Sequence, residues 1–521
     1  MKVKSNEKLN TNYDTKVSSK KSLLKPTIVV LVFSSISKIF SAIFKLPLTS
    51  LIGSEGMGIY QLVFPLFVFL FTLSSHGTSM AITTEIAKQN AKSGYVKFGL
   101  FWTFVASVFL AFLLVVFAPT IAKFQGRSEI FTVYYIIAIL VVSVSILGYN
   151  KGILRGFKDF NNFGFLDILE QIAKVVFALG FAFILIKKET LVSVSGVFVG
   201  ILLSTVIAIF VSLVMLKKNK NNFALLDNTA LTKQEKKEFL SYSIFVSLSA
   251  LILPLVQFLD SVLVVNILDK YNTLNLSSIQ LFGLSRGTAN AILNLPIVFV
   301  YALEVVLLPN IVSETNSTET NKKLNLAINL VGFICLPVSF VLFLFSTPIC
   351  TIFFGQSLTT EAVVVLSKLI QIGSLYIFLA GIMQVFVIVL QGLNNFKIAL
   401  FSIAFSGIVR IISTIFLTVK WSVFGAEWAV LIFYAVGAVL TFFILLIKRY
   451  KIKLWSILLI ALVSAFSVGI AFILYNKLLV LKLSVVWSLI LSLLLAVFLY
   501  FSLFGIVLLL NKKKYKSQSL I

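Results

Sequence analysis

The sequence predicts an all-α polytopic membrane protein of about fourteen transmembrane helices, and three observations lead there. Apolar residues make up 59% of the 521 positions. Mean hydropathy is +1.05, whereas soluble domains hold roughly 45–50% apolar residues. Long apolar runs recur, among them 27–44, 96–118, 191–216 and 485–510. Each reaches the roughly 17–25 residues that carry a helix through hydrocarbon. Lysine and arginine, finally, concentrate in alternate segments between the runs. Helices satisfy their own backbone polar groups where no water is at hand. A barrel would show short period-two alternation instead of these continuous runs.

Residues 1–26 form a polar, basic tail, and the apolar run that follows is too long for a signal core and lacks a small-residue cleavage site. Spans are expected near 27–47, 58–85, 96–118, 130–152, 160–187, 190–216, 239–266, 286–312, 325–352, 360–390, 397–419, 424–447, 453–475 and 483–510. The segment 217–238, with its KKNKNN and KQEKKE runs, reads as a polar linker, and 511–521 as a second basic tail. Cys335 and Cys350 lie fifteen residues apart with no metal-type spacing and read as small core residues.

Segments on the cytoplasmic side of a membrane are enriched in Lys and Arg. One alternate set of segments, which includes both tails, holds thirty such residues, and the opposite set holds nine. Both termini are therefore expected in the cytoplasm of a cell membrane. The net charge of +25 is spread over short loops, which suits attraction to anionic lipid and gives no single footprint for nucleic acid.

An internal duplication shows where the chain re-enters the membrane. Pro119, Phe124 and Gly126 match Pro348, Phe353 and Gly355 at an offset of 229, and Gly156 and Phe160 match Gly392 and Phe396 at an offset of 236. Both echoes follow the third and fourth spans of a six-span half. An even number of spans separates the copies, so the halves, 27–216 and 239–447, are expected in the same orientation about an axis along the membrane normal.

Certain short motifs carry a family resemblance. The stretch LIGSEGMGIYQ at 51–61 follows a first helix holding Ser37-Lys38 and Lys45. With it stand Ser75-His76-Gly77, Arg155-Gly156, Glu170-Gln171 and Leu390-Gln391-Gly392. From about residue 26 to 450 the chain resembles the stage V sporulation protein B group of polysaccharide flippases, which stands with the lipid II flippases in the multidrug/oligosaccharidyl-lipid/polysaccharide exporter superfamily. That resemblance implies two six-helix lobes around a central cavity and alternating access. It also implies that the last two spans, 453–510, are the extra pair carried by lipid II flippases.

Charges inside apolar spans are costly and usually face a cavity or a partner. Lys38 and Lys45, seven apart, share one face of the first helix. Both suit a pyrophosphate; the alternatives are snorkelling for Lys45 and a carboxylate partner for Lys38. Glu170 and Lys174 are spaced for an internal ion pair. Asp260 stands among Phe258, Leu259, Val262 and Leu263 and needs a cation, a proton or a lysine. It is the leading coupling-ion candidate, against a protonated acid in an interhelical hydrogen bond. Glu304 and Arg410 are ambiguous in the same way and could pair with each other, with Arg410 a further substrate-binding candidate and Glu304 a further ion-coupling one. Arg286 reads as a boundary charge, Lys368 as a packing or gating residue, and His76, the only histidine, as a hydrogen-bonded core residue.

Pro65, Pro254, Pro296 and Pro337 fall inside spans, where each removes a backbone donor and permits a bend. The sequence holds no Walker loop, metal-spaced His/Cys cluster or nucleophile elbow, so neither an enzyme nor a cofactor is expected. Three functions remain: a flippase for a lipid-linked oligosaccharide, a cation- or proton-coupled multidrug antiporter, and a membrane scaffold or glycan polymerase. Intramembrane lysines favour the first, and short outer loops disfavour the third. Expected partners are membrane lipids, a lipid-linked glycan, Na+ or H+, and cell-envelope synthesis enzymes.

Overall fold

Helix α3 (Gly94–Phe124) shows how this chain uses a bilayer. After Tyr95 at its start, its buried positions are Gly99, Thr103, Ser107, Ala111, Leu114, Ala118 and Ala122, small or modest residues about one turn apart. Its phenylalanines face outward, with Phe101 60% and Phe112 62% exposed. Water would invert that pattern. In lipid, close approach of small residues drives helix association and large apolar side chains meet acyl chains.

A computed structural model describes residues 33, 36–37, 39–41, 43–88, 91–218, 223–224, 226–300, 317–393 and 395–518. In chain order, α1 (Lys45–Phe71) runs through a π-helical turn, Thr72–His76, into α2 (Gly77–Ile86). Then come α3, α4 (Phe131–Gly156), α5 (Phe160–Ile184) and α6 (Thr190–Lys218). The next group is α7 (Lys233–Ala250), α8 (Ile252–Tyr271), the short α9 (Ser278–Phe282) and a second π-helical stretch, Gly283–Ala289. Last are α10 (Ser317–Phe354), α11 (Thr360–Gly392), α12 (Phe396–Ile447), α13 (Leu454–Val480) and α14 (Val485–Gln518).

Among the described residues ten helices are long and apolar enough to cross a membrane, fewer than the fourteen expected. Chain reversals and charge account for much of the difference. The 52 residues of α12 are interrupted at Trp421 and Ser422, the latter with φ 53°. Across this break a β-carbon on Gly425 would lie 1.8 Å from the carbonyl oxygen of Leu417. A straight helix would hold those two residues about 12 Å apart, so the chain doubles back. At the other break, Gly53 has φ 70°, and the Lys45 ammonium lies 5.8 Å from the Phe64 ring although nineteen positions separate them. Helix α5 is apolar for most of its length but carries Asp167, Glu170 and Lys174. Residues 301–316 lie outside the described ones, so the span expected at 286–312 is seen only to residue 300.

Local chemistry sets several helix ends. Thr232 and Glu235 form a reciprocal capping box at the start of α7, and Ser277 with Gln280 forms another at α9, each satisfying two orphan N–H groups. The seventh expected span is broken at Leu251, between α7 and α8, where the ring of Pro254 removes a donor to the preceding turn. One apolar core runs through both halves of the chain. A separate cluster, including Phe345, Val468, Tyr475 and Leu489, fastens α13 and α14 to α10.

The halves meet at two levels. At one level Gly58 packs on the backbone of Ile279, where a β-carbon would sit 2.0 Å from its carbonyl oxygen. Gly283 likewise leaves only 2.1 Å to the carbonyl oxygen of Ser54. At the other, Gly77 packs on Ser243, with 1.8 Å left for a β-carbon. Only glycine permits such approach.

Candidate functional site

A cavity of about 320 Å³ lies between the halves, lined by Lys45, Gln61 and Phe64 of α1, Gln257 and Asp260 of α8, Arg286, Asn290 and Asn294, and Tyr376, Arg410 and Glu427. Its centre is an ionic network. Asp260 is 3% exposed at the side chain and Glu427 1%, while Arg286 is 11% and Arg410 9% exposed. Two carboxylates face two guanidiniums, so the network is neutral. Isolated charges at such burial would be far costlier than this balanced set.

Arg286 occupies the π-helical stretch, which projects it toward both carboxylates. Nε donates to Asp260 Oδ2 at 2.8 Å. Nη1 donates to Ser285 Oγ and to Glu427 Oε2, both at 3.0 Å. Nη2 donates to the Ala426 carbonyl oxygen at 3.1 Å and, at 3.5 Å, to Asp260 Oδ1. A guanidinium has five N–H donors, and all five are used. π-Helical insertions in α-helices often mark functional sites, and here the insertion aims one side chain.

Arg410 is only partly engaged. Its Nη2 donates to Asp260 Oδ2 at 2.8 Å, and its guanidinium lies 5.8 Å from the Phe433 ring. Its Nε is buried without an acceptor. Thr414 Oγ1 donates to Asp260 Oδ1 at 3.3 Å, and Tyr376 donates to Glu427 Oε1 at 3.0 Å. Lys45, on the opposite wall, has a phenylalanine ring beneath its ammonium and no carboxylate among the described residues. Among the described residues the cavity thus carries one positive charge beyond its neutral network.

The expected site residues fall as follows. Lys45, Asp260 and Arg410 share the cavity. Lys38 and Glu304 lie outside the described residues. Arg410, open to pairing with Glu304 on sequence grounds, binds Asp260 instead, and Asp260 meets two arginines in place of a lysine or a free cation. Glu170 is taken by Lys151 of α4 at 2.5 Å, and the same ammonium holds Asp167 at 2.7 Å. Lys174, the expected partner of Glu170, instead has its ammonium 5.3 Å from the Phe44 ring.

Sequence reasoning passed over Glu427, Tyr376 and the role of Arg286. A signal existed for one of them, and a further one for Arg410. Glu427 is an acid in an apolar run, and Ser402, Ser406, Arg410, Thr414 and Thr418 recur every fourth position on α12 as one buried polar stripe. That stripe turns Arg410 toward the interior. Nothing in the local sequence announces the π-helical register that re-aims Arg286.

Ion pairs and hydrogen bonds also join the halves at both ends of α3, whose 31 residues span about 46 Å at 1.5 Å per residue. Beyond its C-terminal end Arg127 grips Asp269 with two hydrogen bonds of 2.9 Å and donates to Ser278 at 2.7 Å. The hydrogen bonds it donates to Asp269 hold the Arg127 pKa above its ordinary value. Before its N-terminal end Lys92 donates to Glu235 at 2.7 Å, and that bond, helped by the Thr232 backbone, holds the Glu235 carboxyl below the usual range. Ser93 donates to Asn228 at 2.9 Å. The two parts of the chain are thus tied together at both ends of α3.

Known proteins bear on this arrangement. The family described as "Polysaccharide biosynthesis protein" matches residues 23–315. "Lipid II flippase MurJ" of Bacillus subtilis (strain 168) is 23% identical over 495 residues, covering 86% of this chain and 87% of that protein. The solved structure "Lipid II flippase MurJ, inward closed conformation" superposes with a TM-score of 0.71 at 17% identity, over 91% of this chain and 98% of that one. A "multidrug resistance MATE family transporter of the MOP superfamily" in its inward-facing conformation gives 0.63 at 18% identity, over 84% and 98%. These structural likenesses show a shared multi-span helical fold.

Proposed function

The chain belongs to the polysaccharide biosynthesis protein family, and on that premise we propose that it flips a lipid-linked oligosaccharide across the bacterial cytoplasmic membrane by alternating access. The cargo would be a polysaccharide or peptidoglycan precursor carried on a polyprenyl pyrophosphate. One observation carries this reading: among the described residues both carboxylates of the cavity, Asp260 and Glu427, are engaged by arginine, while Lys45 has no acidic partner and Arg410 keeps a buried donor without an acceptor. Such a cavity offers surplus positive charge and spare N–H groups to an anion, and phosphate is met well by charge-assisted bonds from lysine and arginine. Gln61, Gln257, Asn290 and Asn294 add amides suited to sugar hydroxyls.

Alternating access suits the paired closures. Release of Arg127 from Asp269 would free one end and release of Lys92 from Glu235 the other, while the glycine contacts near Gly58 and Gly77 let backbones close tightly again. By the charge asymmetry of the loops, the Lys92 end and both termini are cytoplasmic. Asp260, the coupling-ion candidate, would bind Na+ or H+ only on giving up an arginine.

The likeness to a MATE transporter favours a second reading, a cation- or proton-coupled multidrug antiporter. A site for cationic drugs needs an available carboxylate, and neither Asp260 nor Glu427 is free here. Proteoliposomes supplied with labelled lipid II, an undecaprenyl-linked polysaccharide unit or ethidium under an ion gradient separate the two readings. Flipping of either lipid is expected; ethidium export with no lipid flipping would replace the first reading by the second.

A further inference from the structure

Resting on the flippase reading, we infer that one face of α5 is a track for the diphosphate of the lipid carrier, with Lys174 its second anion-binding residue beyond Lys45 and Arg155 its far end. Phe163, Asp167, Glu170 and Lys174 are spaced by four, three and four residues, so they share one helix face. Eleven steps separate the first from the last, about 16 Å along the axis. At one end the Arg155 guanidinium lies 5.5 Å from the Phe163 ring. In the middle Lys151 bridges Asp167 and Glu170. At the other end Lys174 lies over Phe44, the residue before Lys45.

The charge balance is what calls for a ligand. Glutamate followed four positions later by lysine is the favoured order for a pair within a helix. Here Lys151 intrudes from α4 and takes the Glu170 carboxylate, and Lys174 lies on the Phe44 ring instead. Among the described residues four cations, Lys45, Lys151, Arg155 and Lys174, thus accompany two acids, Asp167 and Glu170. Three of those cations sit instead on phenylalanine rings. A ring attracts and orients a cation without neutralising it. Arg155 donates to Ser79 at 3.0 Å but buries its Nε without an acceptor. The surplus of two positive charges, with an unmet donor, suits the doubly charged diphosphate diester of a lipid-linked glycan, and its spread along the helix face suits two linked phosphates better than one.

The test measures binding of undecaprenyl pyrophosphate and undecaprenyl monophosphate to the full-length protein in detergent. Lys174→Ala is expected to weaken undecaprenyl pyrophosphate by about ten-fold, one charge-assisted contact, and to narrow the preference for diphosphate over monophosphate. Lys174→Arg should retain both, and Arg155→Ala should narrow the same preference. A Lys174→Ala protein that unfolds at the wild-type temperature and keeps the wild-type affinity and preference overturns the track. If Lys45→Ala alone loses affinity, the track falls while the flippase reading stands. If the wild type binds neither lipid, both fall.

Discussion

Arg410 donates to Asp260 across 150 positions of sequence, and the same carboxylate oxygen also accepts from Arg286. One acid therefore fastens α12 to α8 and to the π-helical stretch. Asp260→Asn would leave two buried guanidiniums with one carboxylate between them. Removing one partner of a buried pair costs about 3–5 kcal/mol, so that variant is expected to unfold at a clearly lower temperature and to transport poorly. Arg410→Gln in the same chain removes one of the stranded charges and should restore part of the loss. A double variant no more stable than Asp260→Asn alone would show that the two residues are not coupled.

Arg286→Lys tests the five-donor reading. Lysine keeps the charge but has three donors on a flexible stem, and it cannot serve Asp260, Glu427, Ser285 and the Ala426 carbonyl together. A stability loss of about 1.5–3 kcal/mol is expected, the worth of one hydrogen bond to a charged group. Thermal unfolding in detergent reads it directly. No loss would mean that the fork geometry is unimportant.

Gly283→Ala addresses closure. A β-carbon there would stand 2.1 Å from the Ser54 carbonyl oxygen and 2.5 Å from the Gly58 nitrogen, distances at which backbone must separate. We expect the level near Gly58 to stay ajar, with transport lost and with an Asn290→Cys reporter in the cavity labelled faster by a water-soluble maleimide. Unchanged labelling would show that this contact does not gate the cavity.

The fold class was legible in the sequence because lipid imposes long apolar runs and internal backbone bonding whatever the tertiary detail. Site legibility varied with how local the determinant is. The inward aim of Arg410 could be read from the polar stripe at 402, 406, 410, 414 and 418. Partner choice could not. Glu170 and Lys174 have ideal spacing, yet the pairing was decided by Lys151 arriving from α4, a contact set by helix packing. The reversals at Gly53 and Ser422, by contrast, fall in the gaps expected between spans 27–47 and 58–85 and between spans 397–419 and 424–447.

Acid should loosen one end of the molecule. The Glu235 pKa is depressed, chiefly by the Lys92 hydrogen bond, so the tie contributes fully above the ordinary glutamate value of about 4.3 and is lost as pH falls through the lower, folded value. A Ser93→Cys reporter beside this tie is expected to label more readily with a pH-tolerant thiol reagent below about pH 4, after correction for the reagent's own pH dependence. Glu235→Gln should show the acid level of labelling already at neutral pH. Equal labelling of both proteins at every pH would remove the tie from the closure. Reaction at this position only with reagent supplied from outside intact cells would reverse the proposed orientation.

Lys45 carries the most direct test of the anion reading. Its ammonium faces the cavity above Phe64 with no acid paired to it among the described residues, so its charge is available to a substrate phosphate. A charge-assisted contact of this kind contributes about 1.5–3 kcal/mol, and Lys45→Ala should weaken undecaprenyl pyrophosphate binding by roughly ten-fold or more. Arginine at this position keeps the charge and adds a planar fork, whereas glutamine keeps only length and hydrogen bonding. Lys45→Arg is therefore expected to flip substrate nearly as well as the wild type and Lys45→Gln nearly as poorly as Lys45→Ala. Because no partner acid would be stranded, stability should change little in all three, which separates a lost binding contact from a damaged fold. An alanine variant that reaches the membrane and flips normally would leave Lys45 a packing residue and remove the chief chemical support for an anionic substrate.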